Sequence, residues 1–371
     1  MLSAPDRGTA LYCGGVHGEY EINDVWEFHL GANTWNLICP SDGGNHLSAV
    51  SARAAARRGR DPEKNRAYYR KWYRDNVVVE DGTVRTRFNR GPLSPIQTWD
   101  QLAYDHHAGK LYWVVSSISD GNRLESYCQA TGQDPEKLRP LLKPGTSLWS
   151  FDPETRKWDR HFEPRPRPRT GGMGGTLRYV PAMRKLVWYV AAQNTIPFDY
   201  GMWAYDPATN RWEDMRPNGG ADIEKLYTAG AVPGCHLQSA YSPKDNVLVA
   251  VMDKKTWVFS FAANEWKLTA TDARNSAREN RTVFAYDRDS DRFLLMHPGR
   301  AGRRKLGRKP AVPPVPGNVR AFDVASNKWR TLPVKGAPVP NGVVAGYWDP
   351  RFGVLVVQSR SRRIWVYRPG N

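Results

Sequence analysis

Short apolar runs rich in aromatic residues alternate with polar clusters along the chain, and the alternation returns in fixed register. "LWSFDPETRKW" (Leu148–Trp158) is matched by "MWAYDPATNRW" (Met202–Trp212). The pattern extends to "VWEFHLGANTW" (Val25–Trp35), "TWVFSFAANEW" (Thr256–Trp266) and "VRAFDVASNKW" (Val319–Trp329). A sixth copy, "IWVYRPGN" (Ile364–Asn371), stops before its second tryptophan. In the five full copies an aromatic (Phe28, Phe151, Tyr205, Phe259 or Phe322) precedes a Trp by seven residues. Another Trp lies two positions before the aromatic at Trp26, Trp149, Trp203, Trp257 and Trp365. A spacing of two places both rings on one face of a strand. The stretch between, as in "DPETRK" or "DPATNR", is hairpin chemistry, with Asp and Pro opening the turn.

A second hairpin pattern lies upstream of each copy. "QLAYDHHAGKLYWVV" (Gln101–Val115), "TLRYVPAMRKLVWYV" (Thr176–Val190), "QSAYSPKDNVLVAVM" (Gln238–Met252), "VFAYDRDSDRFLLM" (Val283–Met296) and "VAGYWDPRFGVLVV" (Val344–Val357) read as strand, tight turn, strand. "LSAPDRGTALYCGG" (Leu2–Gly15) is the same hairpin with its first strand cut short. Each repeat therefore predicts four strands. One such unit cannot bury both of its faces alone, whereas units packed radially can.

The "CGG" at Cys13–Gly15, the "NDVWEF" at Asn23–Phe28 and the Phe-Asp-Pro-Glu-Thr-x-Lys-Trp runs resemble the kelch repeat. The resemblance implies an all-β fold, a kelch-type β-propeller of six four-stranded blades, as one domain over residues 1–371. Five repeats lack the double glycine that kelch repeats carry, which marks a divergent member. A degenerate seventh blade between Trp35 and Trp158 is the alternative. The first repeat lacks most of its inner strand and the last lacks its outer one. Propellers close by completing one blade from both termini, so either the natural chain extends upstream or the ends are misjudged.

With four strands counted from axis to rim, turns 1–2 and 3–4 open on one face and connections 2–3 and 4–1 on the other. The long segments all belong to the second set. Residues 40–97 predict a helical and hairpin cap between blades 1 and 2, and loops this long are usually functional. Within it His46–Arg58 reads as helix, Asp61–Asn76 as a second helix with Asp61 as N-cap and Pro62 in the first turn, and Val77–Phe88 as a hairpin turning at Asp81-Gly82. The long loops 117–145, with a short helix starting at Asp134-Pro135, and 297–317 are expected on that same face.

Charge sharpens this picture. Lys plus Arg number 54 and Asp plus Glu 37, a formal +17. Pro40–Gln97 holds twelve cations and six acids, net +6; His297–Gly317 holds six cations and no acid, net +6; Phe162–Met173 holds three and one, net +2. Together they carry +14 of the +17. One strongly basic face attracts polyanions in a salt-sensitive way. An anionic partner, an acidic polysaccharide first, is expected there; the alternative is a solvated, functionless excess of charge. Fifteen Trp and seventeen Tyr suit a sheet-rich fold. No apolar run is long enough to span a membrane. No signal peptide is visible; the family resemblance favours an extracellular or periplasmic setting. The four cysteines fit neither a zinc site nor a disulfide framework.

The inner strands are expected to enter the long-loop face at Trp99, Thr176, His236, Arg281 and Asn341, with His17, Tyr20 and His297 from nearby loops and Tyr227 before His236. Abstraction of a proton α to a uronate carboxylate needs a base, an acid and a cation to neutralise the carboxylate. His236 or Tyr227 as base or acid, Arg281 as neutraliser, and His17 and His297 in support make a polysaccharide lyase the alternative to simple recognition. Ordinary hydrogen-bonded loop residues are the plain reading of the same set. Trp99, Tyr20, Asn341, Arg66, Arg70, Trp72, Arg74, Arg303, Arg304 and Lys305 are the candidate ligand-binding residues. "RAYYRKWYR" (Arg66–Arg74) interleaves cations with rings able to stack on bases or sugars, or else is an amphipathic helix packing Tyr69, Trp72 and Tyr73 inward. No metal and no cofactor are expected: His106-His107 reads as a solvated turn, and "TGGMGG" (Thr170–Gly175) leads into a strand, not a phosphate-binding helix. A protein-interaction scaffold is the third class that the resemblance permits.

Overall fold

The structure is a computed structural model that describes residues 1–14, 23–41, 61–93, 98, 100–115, 119–168, 175–190, 201–219, 238–252, 254–272, 282–299, 316–340, 342–359, 361 and 363–370. The fold class is the expected one, an all-β propeller of six antiparallel blades. Blade 1 is β1 (Leu2–Ala4), β2 (Thr9–Cys13), β3 (Val25–His29) and β4 (Thr34–Cys39). The cap follows, with helix α1 (Pro62–Asn76) and the hairpin β5 (Val77–Glu80) and β6 (Thr83–Thr86). Blade 2 is β7 (Leu102–Asp105), β8 (Lys110–Val114), β9 (Leu148–Asp152) and β10 (Lys157–Arg160), with helices α2 (Asp120–Thr131) and α3 (Pro135–Leu138) between β8 and β9. Blade 3 is β11 (Thr176–Val180), β12 (Lys185–Val190), β13 (Gly201–Asp206) and β14 (Arg211–Asp214). Blade 4 is β15 (Gln238–Ser242), β16 (Val247–Met252), β17 (Lys255–Ser260) and β18 (Glu265–Thr271). Blade 5 is β19 (Val283–Asp287), β20 (Arg292–His297), β21 (Asn318–Asp323) and β22 (Lys328–Leu332). Blade 6 is, among the described residues, β23 (Val343–Asp349), β24 (Val354–Ser359) and β25 (Ile364–Tyr367).

The chain forms two compact units, Met1–Ala10 with Pro217–Asp222 and His236–Asn371, and Leu11–Arg216 with Ile223–Cys235. In the second unit Ala103, Tyr112, Leu148, Leu177, Leu186, Trp188, Trp203 and Trp212 form one core between blades 2 and 3. In the first, Leu294, Val319, Leu332, Val343, Leu355 and Tyr367 do the same between blades 5 and 6.

The repeated string has one geometry. The aromatic of each third strand faces the Trp of the fourth directly across the ladder. Ring centroids lie 4.7 Å apart for Phe28–Trp35, 5.0 Å for Phe151–Trp158, 5.1 Å for Tyr205–Trp212 and Phe259–Trp266, and 5.2 Å for Phe322–Trp329. Two residues before each Trp the backbone turns left-handed, at Asn33, Arg156, Asn210, Asn264 and Asn327. Four of these five are Asn, which tolerates that conformation at low cost. Blade 5 has Arg320 where other blades have their earlier Trp. The guanidinium of this buried Arg packs 5.3 Å over the ring of Trp329 and pairs with Asp272 at 2.6 Å.

The helix after Asp61 and the hairpin turning at Asp81-Gly82 form where the sequence predicts them. Asp61 Oδ1 accepts from the backbone N–H groups of Glu63 and Lys64, with Pro62 opening the helix. Asp81 and Gly82 both have positive φ, 52° and 90°, as a two-residue hairpin turn of this hand requires. Trp72 and Tyr73 point inward onto Val77, Val84, Leu124, Tyr127 and Cys128. The helix expected over His46–Arg58 lies outside the described residues. The short helix at Asp134-Pro135 is present as α3, but the longer α2 before it was not expected. Gly121 and Asn122 in its first turn mute its helical signal, and it stands on the Ser119 cap, the Gly132 stop and packing against α1. Among the described residues no helix is long and apolar enough to cross a membrane, and Cys13, Cys39 and Cys128 are buried thiols.

Trp212→Ala is expected to cost about 3–5 kcal/mol of unfolding free energy in urea titrations. Trp35→Ala, at a ring only half-buried, is expected to cost roughly half of that or less.

Candidate functional site

Two stretches of the second unit define an open cleft of about 600 Å³: Lys143-Pro144 on the return from the cap helices, and Phe162 to Arg167 on the exit from β10. Its lining is Lys143, Pro144, Phe162, Glu163, Pro164, Arg165 and Arg167. Lys143 and Arg165 are exposed and Arg167 is half-buried.

The frame of the cleft is polar and buried. Glu163 is the one acid of the lining, and it is already committed: its two oxygens accept from Thr146 N (2.8 Å) and Thr146 Oγ1 (2.7 Å). Its backbone carbonyl accepts from Arg167 Nη1 at 3.0 Å. A Cβ at Gly145 would meet two Arg160 nitrogens and Glu163 Oε2, each at 3.0 Å, so a side chain there would require these groups to give by a few tenths of an ångström. Lys143 N donates to Gly82 O at 2.8 Å, which ties the cleft to the cap hairpin. Phe162 has two cations over its ring, Arg160 at 4.9 Å and Lys143 at 5.4 Å from its centre.

Beneath the cleft, Asp120 at the start of α2 holds Arg123 at 2.8 Å and Arg160 at 3.0 Å, both guanidinium groups being buried. Burial acts to raise the Asp120 pKa; the charges of Arg123 and Arg160 and their hydrogen bonds outweigh it and leave it below the ordinary carboxylate value. Arg123 also donates to Val115 O at 3.1 Å, and Arg160 to Leu148 O at 3.3 Å. The cap hairpin is held to blade 1 by Asn23, from the "NDVWEF" run. Asn23 Nδ2 donates to Thr86 Oγ1, Asn89 Oδ1 and Pro92 O at 3.0–3.2 Å.

His161, next to Phe162, points away into the blade. Its ring nitrogens meet Ser150 Oγ at 2.9 Å and Tyr205 OH at 3.1 Å. Burial, with Arg160 and Lys110 adding, lowers its pKa to about 4, so the ring is neutral at pH 7. It is a packed network, not a proton-transfer group at the cleft. The cleft offers cations and a ring, and its carboxylate is spent on Thr146.

The residues expected at the mouth are placed as follows. His17, Tyr20, Trp99, Tyr227, His236, Arg281, Arg303, Arg304, Lys305 and Asn341 lie outside the described residues, as does the side chain of Arg66. His297 ends β20, half-buried and paired in register with Asn318. Trp72, expected at a ligand surface, is instead buried in the cap core, because the inward stripe of α1 needs its ring there. Arg70 and Arg74 are exposed on α1. His107 of the His pair bonds Tyr179 OH through Nδ1 at 2.8 Å. Arg165 and Arg167 belong to the basic stretch Phe162–Met173, whereas Lys143 lies in the 117–145 loop outside the three basic segments; "KPGT" and "EPRPRPR" carry their only signal.

No protein-family model matches the chain, and no curated protein sequence matches it significantly. Among solved structures it is similar to the crystal structure of Porphyromonas gingivalis dipeptidyl peptidase 4, with a TM-score of 0.33 and 10% identity. The match covers 60% of this chain and 35% of that one, so the chain spans about a third of that protein's length.

Between about pH 4 and 6.5 unfolded His161 is protonated and native His161 is not, so stability rises with pH there. His161→Gln is expected to flatten that rise in pH-resolved urea unfolding. The Asp120 contribution is present above the ordinary carboxylate pKa and is lost as pH falls through its lowered native value. Asp120→Asn is expected to remove this acid limb and to cost about 3–5 kcal/mol at pH 7, since two buried cations lose their partner.

Proposed function

We propose that the chain is a recognition propeller of the kelch type that holds an acidic polysaccharide on its basic, long-loop face, with the Lys143–Arg167 cleft as a docking point. The propeller fold is a platform for ligand or protein binding. The finer reading rests on one observation: Lys143, Arg165 and Arg167 converge on an open cleft whose single acid is already hydrogen-bonded twice. A sulfate or carboxylate entering there meets cations without displacing an internal partner. The exposed cations of α1, Lys64, Arg70, Lys71 and Arg74, extend the positive field over the cap. Such a field raises the encounter rate of a polyanion and is screened by salt.

Binding of heparin, alginate, polygalacturonate and neutral dextran by calorimetry at low and at physiological salt tests this. The anionic chains are expected to bind, more weakly as salt rises, and dextran is not. The variant Lys143→Ala/Arg165→Ala/Arg167→Ala is expected to lose on the order of tenfold in affinity or more. Equal binding by the variant removes the cleft from the account, and absence of binding to every polyanion at low salt removes the reading. New ultraviolet absorbance from unsaturated uronate would replace recognition by elimination chemistry.

A further inference from the structure

We propose that Glu163 is the positioning residue of the Lys143–Arg167 cleft, and that through it the cleft selects among acidic polysaccharides by the spacing of their acid groups, an inference that rests on the polyanion reading above and deepens it.

An acid in a cationic cleft should oppose an anionic ligand. At Glu163 the geometry runs the other way. The residue is 1% exposed, and its two ends are tied to different parts of the site. The carboxylate accepts from Thr146 N at 2.8 Å and Thr146 Oγ1 at 2.7 Å, and Thr146 is fully buried just ahead of β9. The backbone carbonyl accepts from Arg167 Nη1 at 3.0 Å. A line of hydrogen bonds therefore runs from a buried threonine through Glu163 to a guanidinium that lines the cleft. The carboxylate also shares its surroundings with a buried cation: a Cβ at Gly145 would stand 3.0 Å from Glu163 Oε2 and from two nitrogens of Arg160.

The backbone adds stiffness. Glu163 precedes Pro164 and Arg167 precedes Pro168, and a residue before proline is held out of the helical region. A guanidinium carries five donors in one rigid plane. With Nη1 given to a carbonyl, the plane of Arg167 is set and its remaining donors are left for a ligand, the fork geometry that suits a carboxylate. Lys143 is held by other means, its Nζ lying 5.4 Å over the Phe162 ring and its backbone N–H bonded to Gly82 O. Arg165 is exposed and forms no hydrogen bond or ion pair among the described residues. The cleft thus has two tethered cations and one untethered. Two tethered cations fix a distance that neighbouring acid groups of a ligand must match, and preorganisation of this kind raises affinity for the matching chain.

Polymannuronate, polyguluronate and polygalacturonate each carry one carboxylate per sugar and differ in linkage geometry. Loose cations bind the three alike; tethered cations do not. Calorimetry on the full chain at low salt is expected to separate them by about fivefold or more. Glu163→Ala removes a negative charge, so charge alone predicts tighter binding. Loss of positioning predicts instead about tenfold weaker binding of the preferred polymer and similar affinities for all three. Glu163→Gln, whose amide accepts from Thr146 N–H and donates to Thr146 Oγ1, is expected to restore the order. Arg167→Lys keeps the charge but loses the fork, and is expected to flatten the order as Glu163→Ala does. Arg165→Lys is expected to change all three affinities by a common factor. Urea midpoints are read alongside, and Arg167→Lys carries the test if Glu163→Ala does not fold. Equal binding of the three polymers by the parent, binding by Glu163→Ala as tight as the parent's, or an order that survives Arg167→Lys overturns the proposal and leaves the polyanion reading standing. Absence of parent binding to every polyanion removes both.

Discussion

The contact on which the blades depend is the third-strand aromatic against the fourth-strand Trp. It joins neighbours across a short hairpin, so it forms locally, and it fixes register. A slip of one residue would turn Trp to the opposite face of the sheet and empty the aromatic's partner position. The turn is built to hold that register: a left-handed residue falls two positions before Trp in each of the five hairpins. Where one ring of the pattern is replaced, in blade 5, Arg320 stays buried only because Asp272 neutralises it and Trp329 covers it.

The cap obeys a different logic. Its helices and hairpin share a small apolar core around Tyr73, and α2 is joined to β10 of blade 2 by an ion pair. Two guanidinium groups are taken out of water beside one carboxylate, and the spare N–H groups reach backbone carbonyls. Such a cluster is costly to bury and more costly to break, so it specifies one docking of α2 rather than adding much net stability. Arg160 also supports Phe162, and Phe162 forms the floor beside Lys143. The cleft therefore inherits its shape from the buried ion cluster beneath it.

The cleft presents separate cations on loops, suited to charges spaced along a flexible chain.

The blades were legible because their signal is local and repeated: an aromatic, a turn residue and a Trp at set spacing appear five times over, and the hairpin at Asp81-Gly82 and the helix after Asp61 carry their own turn and cap chemistry. Helix α2 was not, since a Gly and a short apolar stripe say little until α1 and β10 are in place around it. The cleft was half legible. Arg165 and Arg167 stood in one of the basic segments, but nothing in "KPGT" or "EPRPRPR" says that they converge with Lys143, because that depends on a backbone bond from Lys143 to Gly82 and on Glu163 closing over Thr146. Sequence alone determined the strands, their pairing and the sign of the surface, all properties of neighbours along the chain. Tertiary structure decided which charges are buried as partners and which are left to meet a ligand, since desolvation and pairing act between residues that the chain itself holds far apart.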